Sequence, residues 1–139
     1  MKKVDASIKS ILLVEDGPAI SKFCVRILSA EGFEVDSVGN GKLAQHALEK
    51  KQYDLCLVDI RTPEMNGMEF YQYLKKEYPE IINKVIFTTG DLLTGDTKAF
   101  LKETNRPYLP KPFTPDELRA KVRELWQGLP SSDTREAKI

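Results

Sequence analysis

Four apolar runs in this 139-residue chain end on side chains able to do chemistry, and the types complement one another. "ILLVED" closes on Glu15 and Asp16, "LCLVD" on Asp59, "KVIFTT" on Thr89, and "YLPKPF" carries Lys111 between two prolines. Three carboxylates brought to one edge repel each other unless a hard cation sits among them. A few carboxylates plus waters is the donor set that magnesium prefers, with manganese as a substitute. An ammonium and a hydroxyl complete what a transferring phosphoryl group needs, a metal on some oxygens and donors on the rest. Taken singly, each residue has a plainer reading: Glu15 and Asp16 as helix caps, Asp59 as the start of a turn, Thr89 and Lys111 as ordinary strand and surface residues. The chemistry therefore depends on whether the fold gathers all five.

Short β-branched runs alternate with helical patterns along the chain, the habit of an α/β domain with a parallel sheet. Strands are expected at 11–14, 33–38, 55–59, 84–89 and 107–110. The first helix opens at Pro18, carries Ile20, Phe23, Cys24, Ile27 and Leu28 on one face, and stops near Gly32. Asn40 caps a second helix bearing Leu43, Ala44, Ala47 and Leu48, and a third follows Gly67 with Phe70, Tyr71, Leu74 and Tyr78 before Pro79 ends it. A fourth, over 95–104, offers only Phe100 and Leu101. The fifth begins at "TPDE", where Thr114 and Glu117 form a capping box around Pro115, and buries Leu118, Val122, Leu125 and Trp126.

Strands one, three and four are almost wholly apolar and so belong in the middle of the sheet, whereas Glu34 and Asp36 in strand two and the prolines of strand five mark edges. The order 2-1-3-4-5, a flavodoxin-like doubly wound five-stranded parallel sheet with five helices, satisfies this. It opens a crevice at the carboxyl ends of strands one and three, where Glu15, Asp16 and Asp59 meet. Pro63 and Gly67 turn the chain away from strand three.

Lysine plus arginine and aspartate plus glutamate each total 21, so no electrostatic footprint for nucleic acid is expected. No apolar stretch approaches the ~20 residues that span a bilayer, and the start "MKKVDASIKS" lacks a signal-peptide core, so a cytoplasmic protein without a membrane partner is expected. Cys24 and Cys56 lie in apolar runs without a CxxC spacing and read as small buried hydrophobes. "GNGK" (39–42) lacks P-loop spacing, and the lone histidine, His46, falls on the second helix, away from the strand ends. Residues 1–8 read as an N-terminal extension and 128–139 as a polar tail or linker, too short for a second domain or a DNA-binding output.

Over roughly residues 9–127, "VEDG", "VDIRTPEMNG", "TTGD" and "YLPKPF" stand in order at strand ends, and the chain resembles the receiver domain of two-component response regulators. The resemblance implies that Asp59 accepts a phosphoryl group from a phosphohistidine on a sensor histidine kinase or histidine phosphotransfer protein. It implies magnesium bound by Asp16, Asp59 and the backbone carbonyl of Arg61, with Glu15 acting largely through water, and Lys111 paired with a phosphoryl oxygen. Thr89 and Tyr108 would form the switch. The face of helix four, strand five and helix five would report to a downstream target or pair two phosphorylated copies. A cis Lys111–Pro112 bond is implied too.

Particular to this chain, Arg61 and Asp91 are expected to pair across the mouth and hinder hydrolysis of the acyl phosphate. Two other readings are a magnesium-dependent aspartyl phosphohydrolase, disfavoured because Arg61 stands where its second acid would be, and a degenerate receiver that only binds. The chain could equally be a stand-alone regulator or the receiver of a hybrid kinase.

Overall fold

Five short parallel strands pair in the expected order β2-β1-β3-β4-β5, with the polar strands at the edges and the apolar ones in the centre. They are β1 (Ser10–Val14), β2 (Glu34–Val38), β3 (Leu55–Asp59), β4 (Val85–Thr89) and β5 (Tyr108–Pro110). Parallel neighbours need crossovers, and these are α1 (Pro18–Ala30), α2 (Gly41–Lys50), α3 (Gly67–Glu77) and α4 (Gly95–Thr104), with α5 (Pro115–Gln127) returning over the sheet. The structure, a computed structural model, describes residues 9–90 and 95–127. The expected extension, tail and Asp91 lie outside the described residues.

Side chains alternate between the two sheet faces, which divides the core in two. Leu12, Val14, Cys56, Val58, Val85 and Phe87 meet α2, α3 and α4 on one side. Ile11, Leu13, Leu55, Leu57, Ile86 and Leu109 meet Cys24 and Leu28 of α1 and Leu118 and Val122 of α5 on the other. On the open edge of β2, Lys51 bonds Glu34 (2.7 Å) and Asp36 (3.0 Å), and the Tyr53 hydroxyl donates to Asp36 (2.7 Å), a charged border that discourages strand addition.

Helix ends follow local chemistry. Asn40 accepts from Leu43 N–H, and Thr114 and Glu117 exchange the two bonds of the expected capping box. Gly32, at φ 100°, closes α1 in the left-handed conformation that only glycine adopts cheaply. A second capping box, Asn66 with Glu69, starts α3.

Some expectations need correction. Pro79 ends α3 as expected but also starts a 3-10 segment, Pro79–Lys84, which buries Ile81, and three strands begin one residue later than expected, at Glu34, Val85 and Tyr108. Leu43 is not core: it is 48% exposed. Leu125 and Trp126 are only partly buried, with Trp126 edge-on to Phe33 at 5.5 Å and under Lys9 at 5.4 Å.

The β3–α3 loop holds Asp59 in place through glycine. Gly67 N–H donates to Ile60 O (2.9 Å), and a Cβ on Gly67 would stand 2.7 Å from Asp59 O and 2.8 Å from Ile60 Cα. Met65 O accepts from both Gly41 N–H (3.0 Å) and the Thr62 hydroxyl (2.8 Å), tying α2 to the same loop. Backbone cannot yield as a flexible side chain can. Gly67→Ala is therefore expected to destabilise the protein by about 2–3 kcal/mol, read from urea unfolding midpoints; an unchanged midpoint would show that the loop gives way.

Candidate functional site

Register places the reactive residues side by side. Val14 pairs with Val58, so Glu15 and Asp59, each one residue further, flank each other at the sheet's carboxyl edge; Asp59 pairs with Thr88, and Thr89 with Pro110. Carboxylate oxygens of Glu15, Asp16 and Asp59 lie within 4.8 Å of one another. Lys111 Nζ stands 2.9 Å from Glu15 Oε1 and 3.1 Å from Asp59 Oδ2. Asp59 Oδ1 accepts the Arg61 N–H (3.2 Å), and Glu15 Oε2 accepts the Gly17 N–H (2.9 Å).

Burial differs sharply within this cluster. Glu15 and Asp59 are 5% and 4% exposed and Thr89 is fully buried, whereas Asp16 faces solvent. Lys111 is placed by its backbone: its N–H donates to Thr89 O (2.8 Å), and the Lys111–Pro112 bond is cis. The three acids and Lys111 therefore converge through their side chains, and Thr89 adjoins them through its backbone carbonyl. Tyr108, opposite Phe87 in the register, is 40% exposed at the edge, and His46 lies on the surface of α2.

Comparisons bear on the same residues. The family model described as "Response regulator receiver domain" matches residues 11–123. This chain belongs to the response-regulator receiver family. It is 33% identical over 122 residues to the transcriptional regulatory protein CrdR of Helicobacter pylori, covering 88% of this chain and 57% of that one. It is 35% identical over 115 residues to the transcriptional regulatory protein TctD of Salmonella typhimurium, covering 83% and 50%. The receiver thus spans about half the length of these relatives. Among solved structures, a CheY-like receiver domain protein of Methanospirillum hungatei superposes with a TM-score of 0.76 at 31% identity, covering 85% of this chain and 93% of that one. The receiver of the sensor histidine kinase PA1611 of Pseudomonas aeruginosa, a structure with a magnesium ion coordinated in its active-site cleft, gives 0.74 at 29%, covering 86% and 98%. The family places the chain in two-component signal transduction, with the flavodoxin-like fold its strand order shows.

The receiver's acids fit a divalent cation on their own chemistry. Three carboxylates against one ammonium leave two negative charges in excess. Burial, then the charge of Glu15, pushes the Asp59 carboxyl above the usual carboxylate range, and Lys111 and the Arg61 N–H only partly offset this. Burial alone would lower the Lys111 ammonium, but its bond to Glu15 and the charge of Asp59 raise it instead. Behind the acids, burial and then Glu15 push the Cys24 thiol up to about 12, and burial does the same to Cys56, so both are inert hydrophobes.

Reasoning on residue types missed three positions: Gly17, whose N–H orients Glu15, and Asp96 and Thr97, which receive the Arg61 guanidinium at 3.5 Å and 3.2 Å. Gly17 had a signal, since it comes directly after the two acids. Asp96 and Thr97 had none, being 35 and 36 residues away on an ordinary helix start.

Asp59 yields a pH prediction. Its folded pKa is raised, so its ionisation costs stability at neutral pH, and that cost fades as pH falls through the folded pKa toward the value of an unperturbed aspartate. Asp59→Asn is expected to raise stability by about 1–2 kcal/mol at pH 7 without added metal, with the gain shrinking as the buffer is made more acidic in urea titrations. A gain that stays constant with pH would refute the electrostatic cause.

Proposed function

We propose that Asp59 is the phosphoacceptor of this receiver, taking the phosphoryl group of a phosphohistidine on a sensor histidine kinase or histidine phosphotransfer protein. The observation that carries this reading is Lys111 Nζ within 3.1 Å of both Asp59 and Glu15, at the end of the sheet where the acids cluster. An Asp59 carboxylate oxygen attacks phosphorus, an acyl phosphate bond forms, the P–N bond breaks, and the electron pair leaves with the donor's imidazole. Lys111 then moves from bridging two carboxylates to balancing the charge gathered on the phosphoryl oxygens, while its second bond keeps Glu15 in register. The Thr89 hydroxyl, at the end of β4, supplies a further donor to the modified group.

Asp16, Asp59 and the backbone carbonyl of Arg61 would hold magnesium, or manganese in its place, with Glu15 acting largely through water. The ion would supply charge neutralisation of the incoming phosphoryl oxygens. The residues of the chain orient and exclude: the rigid strand ends align the acceptor, and burial of Asp59 limits its exposure to water. Beside the mouth, Ala19, Ile20, Phe23, Pro112 and Phe113 line an apolar depression that Lys111 also borders. Its sharing of Lys111 with the acidic cluster supports its use as the seat for the donor protein.

Replacing one carboxylate charge with up to roughly two on phosphate alters what Thr89 and Tyr108 face, and in this reading their rearrangement changes the α4–β5–α5 face read by a downstream target or a second copy. The protein acts as a switch in the cytoplasm and not as a turnover enzyme, with residues 9–127 as the receiver unit. Arg61 in the position of a second acid argues against a phosphohydrolase. A pairing of Arg61 with Asp91 would slow hydrolysis further.

Incubation with acetyl phosphate and magnesium is expected to add the mass of one phosphoryl group, and Asp59→Asn to abolish the gain. Lys111→Ala is expected to slow it by about tenfold or more, the scale of one lost electrostatic contact to the reacting group. Magnesium alone should raise the unfolding midpoint, by about 1.4 kcal/mol for each tenfold excess over its Kd, and Asp16→Asn should weaken that rise. Unaltered mass in the wild type would leave only the binding-module reading.

A further inference from the structure

Arg61 touches two places at once. Its backbone N–H donates to the acceptor oxygen, Asp59 Oδ1, at 3.2 Å, and its guanidinium reaches across to the first turn of α4. There Nη2 lies 3.2 Å from the Thr97 hydroxyl and 3.5 Å from Asp96 Oδ1. Thr97 is fully buried, so its hydroxyl is a fixed acceptor, while the Arg61 side chain that reaches it is 45% exposed. Asp96 Oδ1 is itself held by the Thr97 N–H at 3.0 Å, which aims the carboxylate at the guanidinium.

The helix that receives this contact buries few side chains. Among its described residues only Thr97, Phe100 and Leu101 are buried, and Phe100 rests on the rings of Phe87 and Tyr71. Those rings hold the middle of α4. Its amino-terminal turn is held by Arg61.

We propose that Arg61 is a positioning residue that couples the charge at Asp59 to the placement of α4: in the unmodified protein the guanidinium is bound to Asp96 and Thr97, and on phosphorylation it transfers to the phosphoryl oxygens and releases the helix. The inference rests on Asp59 as phosphoacceptor. Two chemical facts drive the transfer. A guanidinium prefers the doubly charged, planar-matched oxygens of a phosphoryl group to a hydroxyl and one exposed carboxylate. Its flexible three-methylene stem starts from the residue whose N–H already touches the acceptor, so the new partner is within its span. By linkage, whatever competes for Arg61 on α4 opposes the phosphorylated state, and whatever removes that competition favours it.

The test is amide hydrogen exchange of 95–104, before and after phosphorylation with acetyl phosphate and magnesium, with intact mass recorded on each sample. In the wild type, exchange in α4 should rise about two- to fivefold on phosphorylation, the range of one partly exposed charge contact. In Arg61→Gln it should be raised beforehand and change little on phosphorylation, and Arg61→Lys should restore only part of the response because it lacks the bidentate fork. Asp96→Ala should also loosen α4 beforehand, and adding Arg61→Gln should bring less than the sum of the two effects, since both remove one shared contact. An α4 response in Arg61→Gln equal to that of the wild type, or strictly additive effects of Asp96→Ala and Arg61→Gln, would overturn the coupling. Absence of the phosphoryl mass in the wild type would instead overturn the acceptor assignment and the coupling with it.

Discussion

One ammonium between two buried carboxylates is the interaction on which the acidic end of the sheet depends. Glu15 and Asp59 are each about as buried as a core leucine, and side by side they repel; Lys111 Nζ, within about 3 Å of both, is what permits the strands to end there. The compensation is incomplete. Asp59 remains above the normal carboxylate range and the site keeps an excess of negative charge with Asp16, a donor set that suits a divalent cation. A buried pair contributes little net stability when desolvation is counted, and its retention here is better explained by readiness for chemistry than by stability.

That arrangement constrains the rest of the chain. Lys111 can reach the acids only if β5 lies beyond β4 in the same sheet and in register, which the Lys111 N–H bond to Thr89 O secures. Asp59 can stay buried only if the loop after it is pinned at close range, which is why residue 67 has no room for a Cβ. Parallel pairing then delivers the ends of β1, β3, β4 and β5 to the same edge, and the doubly layered core behind them makes the geometry rigid.

Much of this was legible from the residues, and the reasons are specific. β1, β3 and β4 announced burial on both faces by uninterrupted apolar runs, while Glu34, Asp36 and the prolines of β5 announced edges, so polarity separated edge from centre and the flavodoxin-like order satisfied it. The site was legible because its members sit at strand ends, where sequence position maps directly onto space. Leu43 was misjudged because helical periodicity gives the direction of a side chain but not whether a neighbour covers it. The 3-10 segment after Pro79 was missed because a single proline signals a break without specifying the conformation of the next turn. The Glu15–Lys111 and Arg61–Thr97 contacts were invisible for another reason: long side chains choose among partners by distances set in tertiary structure, and no local pattern records that choice.

The two halves of the core also differ in a way that bears on signalling. On the α1 and α5 side, Cys24, Leu28, Leu118 and Val122 lock both helices against the sheet, and Arg123 joins Glu31 at 2.6 Å between them. On the other side α4 is seated by Phe100, against the rings of Tyr71 and Phe87, and by Leu101, and its first turn also takes the Arg61 contact. In the proposed coupling, a change of about one charge at Asp59 acts on the Arg61 guanidinium and only weakly on the apolar contacts of the first half. With Asp59 as the proposed acceptor, the polar contact open to redirection is that of Arg61 with Asp96 and Thr97 at the amino-terminal turn of α4.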